Sequence, residues 1–328
     1  MNLITSAECP PLPAVDHSHE LLLMGSCFAE NIGTLLKASK FRCDVNPFGI
    51  LYNPLSVAAA LREVLGDKVY TGEDLLYYQG EYHSLMHHGS FSSPEASSCL
   101  ASINSRLQQA QRNIRRVRHL LITFGTAWIY RYKETGNVAA NCHKLPDSKF
   151  ERCRLEPDGI AAEYISLIDE LLERNPDLNI WFTVSPIRHT KEGMHGNQLS
   201  KAILLLAIER LQEHFPGKVW YFPAYEIMTD ELRDYRFYAD DMVHPSPLGV
   251  QYVWERFAQA CFALETQELI KEWENIAKAL AHRPLREESE QYKRFLEQIV
   301  LKIKQLTEKY PTLEVEKELD ICHTRLRR

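Results

Sequence analysis

The chain has 328 residues, of which 45% are hydrophobic and 25% are charged, and its formal net charge at pH 7 is −6. This composition is typical of a folded globular protein, and the length accommodates one large α/β domain with an appendage or two ordinary domains. The acidic balance argues against a nucleic-acid binder, because such a protein needs a basic face to neutralise phosphates.

The first residues contain no basic segment followed by a long apolar core, so the sequence predicts no signal peptide. No stretch approaches the roughly eighteen uninterrupted apolar residues of a membrane-spanning helix, so we expect no membrane partner. The eight cysteines are scattered without a C-x-x-C pair, which favours reduced thiols over a disulfide framework or a zinc site. Together these features predict a cytoplasmic protein.

Five short apolar runs alternate with amphipathic stretches of helical period. The runs are 21–24, 41–45, 120–124, 180–184 and 219–222, and the amphipathic stretches are 29–38, 54–65, 157–174, 198–214 and 247–264. Runs this short and this apolar are typical of parallel strands covered on both faces, although Arg42 and Asp44 make the second run the weakest. The alternation predicts right-handed crossovers and a doubly wound parallel sheet.

Two longer segments, about 66–97 and 131–156, interrupt this alternation. The first is rich in tyrosine and histidine, and it is either a lid that shapes a substrate pocket or a peripheral packing element. Basic residues within 112–119 are expected to end a solvated helix just before a strand. Beyond residue 264 the pattern is charged and helical, with Pro284 separating two helices. We therefore predict a main domain over 1–265 and a C-terminal helical extension over 266–328.

Ser26 follows the first apolar run directly, in the sequence Gly25-Ser26-Cys27. A serine placed where a strand turns into a helix presents its hydroxyl at the edge of the sheet, and the helix dipole faces any developing negative charge. Gly25 permits the tight turn and a close approach of substrate. A helix N-cap is the simpler interpretation of Ser26, and Cys27 is either a competing nucleophile or a small buried side chain.

A carboxylate and an imidazole stand three positions apart at Asp241 and His244, just before another helical stretch. Histidine suits a general base because its pKa lies near neutrality, and a carboxylate at Nδ1 fixes its tautomer. Ser246 is the expected N-cap and Pro247 the first helical residue. Reacting groups of open parallel sheets lie beyond the carboxyl ends of strands, which is where most of these residues fall.

The stretch Met24-Gly25-Ser26-Cys27-Phe28-Ala29 resembles the motif after which the GSCFA family is named. Further stretches between about residues 20 and 260 look like the rest of its pattern: 124–128, 141–144, 183–186, 197–201, 221–226 and 240–245. The family in turn resembles the SGNH or GDSL hydrolases, which are esterases, lipases and acyltransferases. This resemblance implies a three-layer α/β/α, flavodoxin-like fold with a mostly parallel five-stranded sheet.

The resemblance also implies roles for individual residues. Ser26 would be the nucleophile, His244 the base and Asp241 its orienting carboxylate. The oxyanion hole would combine the N–H groups of Ser26 and Gly49. The sequence departs from the superfamily at Gly125-Thr126-Ala127, where an asparagine is usual. Asn141, His143 and Thr126 are the candidate replacements, and Asn141 and His143 have loop packing as their alternative role.

Cations follow the fourth apolar run at Arg188, His189, Lys191 and Lys201. They either bind an anionic part of the substrate or form a salt-bridged rim. A metal site at His83, His87, His88 and His143 is the weaker possibility, because no H-E-x-x-H arrangement accompanies them.

The sequence thus predicts a serine hydrolase or acyltransferase that acts on an ester of a small molecule or a glycan, with no cofactor. A catalytically silent module that binds a carbohydrate, an acyl ligand or a protein is the alternative, and a cysteine enzyme using Cys27 is a second. Oligomeric state is left open.

Overall fold

The computed structural model describes residues 5–282, 284 and 289–327. Its strands are β1 (Glu20–Gly25), β2 (Arg42–Val45), β3 (Leu76–Tyr78), β4 (Glu81–His83), β5 (Val117–Phe124), β6 (Trp128–Tyr132), β7 (Val138–Ala139), β8 (Phe150–Arg154), β9 (Asn179–Val184) and β10 (Val219–Tyr221). Its helices are α1 (Cys27–Ala38), α2 (Pro54–Leu65), α3 (Ala96–Asn113), α4 (Pro157–Arg174), α5 (Gly193–His214), α6 (Ala224–Glu226), α7 (Pro247–Cys261), α8 (Leu264–Ala281), α9 (Glu290–Lys309) and α10 (Glu316–Leu326).

A five-stranded sheet occupies the centre, in the order β10-β9-β5-β1-β2, and all of its neighbouring strands are parallel. These strands are the five predicted apolar runs, and their order is that of a flavodoxin-like fold. The least apolar run, β2, is an edge strand that pairs only with β1 within this sheet. Its residues are half-buried, which accounts for Arg42 and Asp44 in a strand.

Helices cover both faces of the sheet, as the three-layer prediction requires. Along β1, Leu21 and Leu23 belong to a buried cluster with α1 and α7, whereas Leu22 and Met24 belong to one with α2, α3, α4 and α5. Side chains alternate along a strand, so a continuously apolar strand is buried on both faces. The apolar runs therefore predicted both the strands and the layers.

The two predicted interruptions contain small antiparallel sheets. In the first, β3 pairs with β4, and at the second, β6 begins just before the interruption and pairs with β7 and β8 inside it. The first interruption leads into α3, which the sequence predicted only through its basic end. Four buried residues form a narrow apolar stripe along this helix (Cys99, Ile103, Leu107 and Ala110), and the rest of it is too polar to stand out from a loop.

The C-terminal helices α8, α9 and α10 surround a buried cluster of their own. Pro284 lies between α8 and α9, as predicted, whereas α10 had no counterpart in the prediction. Lys40, two residues after the end of α1, contacts this region. Its Nζ lies 2.7 Å from Glu318 Oε2 and 4.8 Å from the Trp273 ring centroid.

Across the part of the chain that the structure describes, every helix is too short or too polar to cross a membrane. The prediction of no signal peptide rests partly on residues 1–4, which lie outside the described residues. Residues 283, 285–288 and 328 of the predicted C-terminal extension also lie outside them.

Candidate active site

Ser26 lies at the junction of β1 and α1, and its side chain caps the helix. Its Oγ accepts a hydrogen bond from Phe28 N at 3.4 Å, and its own N–H donates to Thr123 O at 3.2 Å. Gly25 before it has a φ of +128°, and a Cβ there would lie 2.1 Å from Thr123 O. Only glycine fits this turn, because both the left-handed backbone and the neighbouring carbonyl exclude a side chain.

Asn46, directly after β2, supports the same turn. Its Oδ1 accepts a hydrogen bond from Gly25 N at 2.9 Å, and its Nδ2 donates to Glu30 Oε2 at 3.0 Å. No role for Asn46 was predicted from the sequence. The signal was an asparagine before proline at the end of a strand, a pattern typical of a turn whose side chain bonds the backbone.

His244 and Asp241 form a hydrogen-bonded pair on the loop before α7. His244 Nδ1 lies 2.6 Å from Asp241 Oδ2, and Asp241 Oδ1 accepts the N–H groups of Val243 and His244 at 2.9 Å each. The backbone bonds from His244 and then Val243 are the main reason that the pKa of Asp241 falls to about 2. Met242 between them has a φ of +58°, which lets the loop turn back on itself.

The helix after this pair begins as the sequence predicted. Ser246 is the N-cap of α7 and its Oγ accepts a hydrogen bond from Gly249 N at 3.3 Å, while Pro247 is the first helical residue.

Ser26, Asp241 and His244 line one cleft of about 610 Å³. Within the part of the chain that the structure describes, Ser26 Oγ and His244 Nε2 form no hydrogen bond with each other. Catalytic hydrogen bonds are often long in unliganded enzymes and tighten when substrate binds. The cleft therefore brings the three predicted residues together without closing the contact between serine and histidine.

Aromatic side chains form one wall of the cleft. Trp128 and Tyr130 of β6 lie there, with the guanidinium of Arg152 stacked 4.2 Å from the Trp128 ring centroid. Arg152 also forms an ion pair with Glu192. Arg152 lies in the second predicted interruption, which therefore contributes directly to the cleft, and Trp128 lies at the end of the family-pattern stretch 124–128. No role in the cleft was predicted for any of these three residues.

A family model for the GSCFA family matches residues 20–257, which is more than half of the chain. The chain belongs to the GSCFA family. A second model, for the C-terminal domain of GSCFA domain proteins, matches residues 273–328. No curated protein has a sequence that matches the chain.

Three solved carbohydrate-active enzymes are distantly similar to the GSCFA chain. A Clostridium thermocellum family 3 carbohydrate esterase is 11% identical over 77% of this chain and 97% of its own, with a TM-score of 0.32. The acetyl xylan esterase Est2A from the rumen bacterium Butyrivibrio proteoclasticus is 10% identical over 75% and 64%, with a TM-score of 0.39. A family 3 carbohydrate esterase from Talaromyces cellulolyticus is 11% identical over 77% and 99%, with a TM-score of 0.33. Because the sequence identities and TM-scores are this low, the substrates of these esterases are not assigned to the GSCFA chain.

Gly49 does not occupy the oxyanion position that the resemblance implied. Its N–H donates to Asn46 O at 2.8 Å, which closes the four-residue turn Asn46-Pro47-Phe48-Gly49, and Gly49 is not among the residues that line the cleft. The expectation for this glycine is therefore corrected, because a donor already bonded within a turn is not available to substrate. The expectation for the Ser26 N–H is corrected for the same reason, since it donates to Thr123 O at 3.2 Å.

Asn141 and Thr126 both line the cleft, whereas His143 does not. Asn141 Oδ1 accepts a hydrogen bond from His143 N at 2.9 Å, and its Nδ2 has no acceptor among the described residues. Thr126 Oγ1 lies 3.1 Å from Ser200 Oγ and accepts from Trp128 N at 3.1 Å. Asn141 is therefore the candidate whose donor remains open.

His143 instead packs the interruptions together, so its predicted contact with substrate is corrected. Its Nε2 lies 2.8 Å from Ser84 O, and its ring stacks on His83 at 4.5 Å between centroids. The described residues contain no group of three or more histidine, cysteine or acidic side chains arranged to hold a metal ion.

The four basic candidates separate into three environments. Arg188 and His189 line the cleft. Lys191 also lines it but is exposed, and its Nζ lies 3.0 Å from Tyr130 Oη and 3.5 Å from Asp147 Oδ2. Lys201 is buried behind the cleft, where its Nζ donates to Gly125 O at 2.6 Å and Ser185 O at 2.7 Å. It joins the carboxyl ends of β5 and β9, so its predicted contact with substrate is corrected to a role in holding the loops that line the cleft.

Proposed function

We propose that the GSCFA chain is a serine hydrolase or acyltransferase that cleaves an ester bond through Ser26, His244 and Asp241. One observation carries the proposal: a serine at the end of a central strand and an imidazole bonded to a carboxylate line the same cleft. This combination of nucleophile, base and orienting group is the arrangement that activates serine in unrelated hydrolases.

In the proposed reaction, Ser26 Oγ attacks the carbonyl carbon of the ester while its proton passes to His244 Nε2. Asp241 accepts the Nδ1–H and stabilises the resulting imidazolium. His244 then protonates the departing alkoxide, which leaves as an alcohol, and an acyl-serine remains. Water or an acceptor hydroxyl attacks this ester in turn and gives its proton to His244 Nε2. His244 returns the proton to Ser26 Oγ as the bond to the acyl group breaks, which releases the acyl product and restores the serine hydroxyl and the neutral imidazole.

The oxyanion of each tetrahedral intermediate needs donors other than the N–H groups of Gly49 and Ser26, because both are already bonded to backbone carbonyls. Of the first N–H groups of α1, Phe28 N is bonded to Ser26 Oγ and Ala29 N to Ser26 O, which leaves the Cys27 N–H without an acceptor among the described residues. The positive end of the helix dipole lies at the same point. Asn141 lines the same cleft with an open side-chain amide. In this proposal the helix N-terminus and Asn141 stabilise the oxyanion, which replaces the asparagine missing from Gly125-Thr126-Ala127.

A binding module without catalysis is the second candidate. Two observations favour it: Gly49 N–H is bonded within a turn, and Ser26 and His244 share no hydrogen bond. A cysteine enzyme is a third candidate, because Cys27 lines the cleft with its Sγ 3.9 Å from Tyr52 Oη.

Covalent labelling with a fluorophosphonate separates these candidates. We expect the probe to label the wild-type protein and the Cys27→Ala variant but not Ser26→Ala, with all three proteins folded by circular dichroism. Absence of labelling in the folded wild type would favour the binding module. Inactivation by iodoacetamide that persists in Ser26→Ala and disappears in Cys27→Ala would favour the cysteine enzyme.

A further inference from the structure

Arg188 is an unpaired cation in the cleft. It follows β9, is half-buried, and forms no ion pair or hydrogen bond with any residue that the structure describes. Other partly buried arginines in the chain have carboxylate partners, such as Arg152 with Glu192 and Arg106 with Asp44. Partial burial of a charge costs free energy unless a countercharge or hydrogen bonds offset it, so an unpaired Arg188 requires a physical reason.

None of the carboxylates that line the cleft pairs with Arg188. The carboxylates that line the cleft are already bonded, Asp241 to His244 and Glu192 to Arg152. Behind it lies Lys201, whose ammonium contacts two backbone carbonyls and no carboxylate. Burial is the main cause that lowers the pKa of Lys201 to about 7, and the positive charge of Arg188 lowers it further. The guanidinium of Arg188 remains charged at neutral pH, so it is the main positive charge at this end of the cleft.

We propose that Arg188 binds an anionic group, a carboxylate or a phosphate, carried by the ester substrate. The inference rests on the proposed ester chemistry at Ser26. A guanidinium presents a planar fork of N–H donors that matches either oxyanion, and the pair is stronger in a partly desolvated cleft than in water. The cleft volume of about 610 Å³ exceeds the space that a simple acetyl group needs. It can therefore hold an ester and a separate anionic group together.

The aromatic wall fits the same substrate. Trp128 and Tyr130 offer apolar faces to the part of the molecule that joins the ester to the anion, and a carbohydrate or an aryl ring packs well on such faces. Lys191 also lines the cleft, but it is exposed and already contacts Tyr130 and Asp147. We therefore expect replacement of Arg188 to weaken anion binding strongly and replacement of Lys191 to weaken it little.

Binding tests the inference without requiring catalysis. In the Ser26→Ala background we would measure the dissociation constants of 4-acetoxybenzoate, 4-acetoxyphenyl phosphate and neutral 4-acetoxybenzamide by calorimetry. We expect Arg188→Gln to weaken binding of at least one anionic ester by roughly tenfold or more, because one charge-assisted bidentate contact is lost. Binding of the neutral amide should change less than twofold. A larger loss of affinity for 4-acetoxybenzoate would indicate that Arg188 binds a carboxylate, and a larger loss for 4-acetoxyphenyl phosphate would indicate a phosphate.

Lys191→Gln is the matched control, and we expect it to change the three constants by less than threefold, since its ammonium is exposed and screened. Arg188→Lys should retain part of the preference for anions, because it keeps the charge but loses the fork. The melting temperature of Arg188→Gln should equal or exceed that of the parent protein. A clear decrease would indicate that Arg188 stabilises the fold instead.

Turnover by the catalytically intact protein gives an independent readout. Arg188→Gln should raise KM for the anionic ester that it binds and leave KM for 4-acetoxybenzamide unchanged. Equal effects of Arg188→Gln on anionic and neutral esters, or no effect on either, would overturn the inference. If fluorophosphonate labelling fails while the preference for anions still depends on Arg188, the proposed esterase is lost but the anion-binding cleft stands.

Discussion

The nucleophile and the base of the proposed triad are held in different ways. Ser26 is 1% exposed and lies between a central strand and a helix, and the turn before it is fixed by Asn46 and by contact with Thr123. Asp241 and His244 lie on a surface loop, with 52% and 51% of their side-chain area exposed. Their geometry depends on three hydrogen bonds to one carboxylate.

This difference separates stability from activity. Substitutions around Ser26 disturb a buried junction of the sheet and should change folding, whereas substitutions in the Asp241 loop should change activity and leave folding nearly intact. A rigid site for the nucleophile and a surface loop for the base also explain why the serine and the histidine need not touch before substrate arrives.

His244→Ala should have the largest effect on activity. We expect kcat/KM for an activated ester to fall by about 10⁴-fold or more, because the serine loses its base. The melting temperature should shift by only about 1 °C, since the imidazole is half-exposed. A loss of less than tenfold in steady-state kinetics would remove His244 from the mechanism.

Gly25→Ala should have the largest effect on folding. The added Cβ would meet Thr123 O at 2.1 Å in a backbone conformation with a φ of +128°, so we expect unfolding free energy to fall by about 3 kcal/mol or more. Gly80→Ala is the control, because Gly80 has a φ of +88° but no atom within 4 Å of an added Cβ. Backbone strain alone should cost it about 1–2 kcal/mol. Equal losses in denaturant titrations would contradict the steric explanation.

Asn46→Ala should have an intermediate effect. It removes the acceptor of Gly25 N and the donor to Glu30 Oε2, and a buried unpaired group costs about 1–3 kcal/mol. Because the turn that carries Ser26 loosens, the rate of fluorophosphonate labelling should also fall. An unchanged rate with lower stability would mean that Asn46 supports the fold without positioning the serine.

The smallest effect concerns the titration of Asp241. Its pKa is lowered to about 2, so the carboxylate should stay ionised well below the ordinary value of 3.8. The stability that it contributes is present above the ordinary pKa and is lost as pH falls through about 2. Carbon-13 NMR of the Asp241 carboxyl should report this lowered midpoint, and His244→Ala should raise it. A midpoint near 3.8 in the wild type would mean that the loop is open in solution.

The sequence predicted the sheet because its strands are buried on both faces, which leaves uninterrupted apolar runs such as 120–124. It also predicted the Asp241–His244 pair, since three-residue spacing places both groups on one turn. The helix α3 was missed because its apolar stripe is narrow. The short strands β7 and β8 were missed because they pair with β6 through tertiary contacts and carry too few residues for a clear period.

Two residues that were assigned to the site through the resemblance, Gly49 and His143, do not line the cleft. Gly49 was expected to face substrate, but Asn46-Pro47-Phe48-Gly49 has the composition of a β-turn, in which the fourth N–H bonds the first carbonyl. His143 has a φ of +46° and lies in a turn, where its N–H donates to Asn141 Oδ1. The cleft position of Arg152 could not be predicted, because only the folded interruption brings β8 to the ends of the central strands.

Phe262 lies beyond the segment that matches the GSCFA family model, yet it belongs to the core of that segment. Its ring stacks on Phe41 at 4.9 Å, and its backbone bridges Val15. Ile270 of α8 is buried in the same cluster as α1 and α7. We therefore expect that truncation after residue 257 uncovers an aromatic surface and yields an aggregation-prone fragment, and that a soluble domain must extend through Ile270.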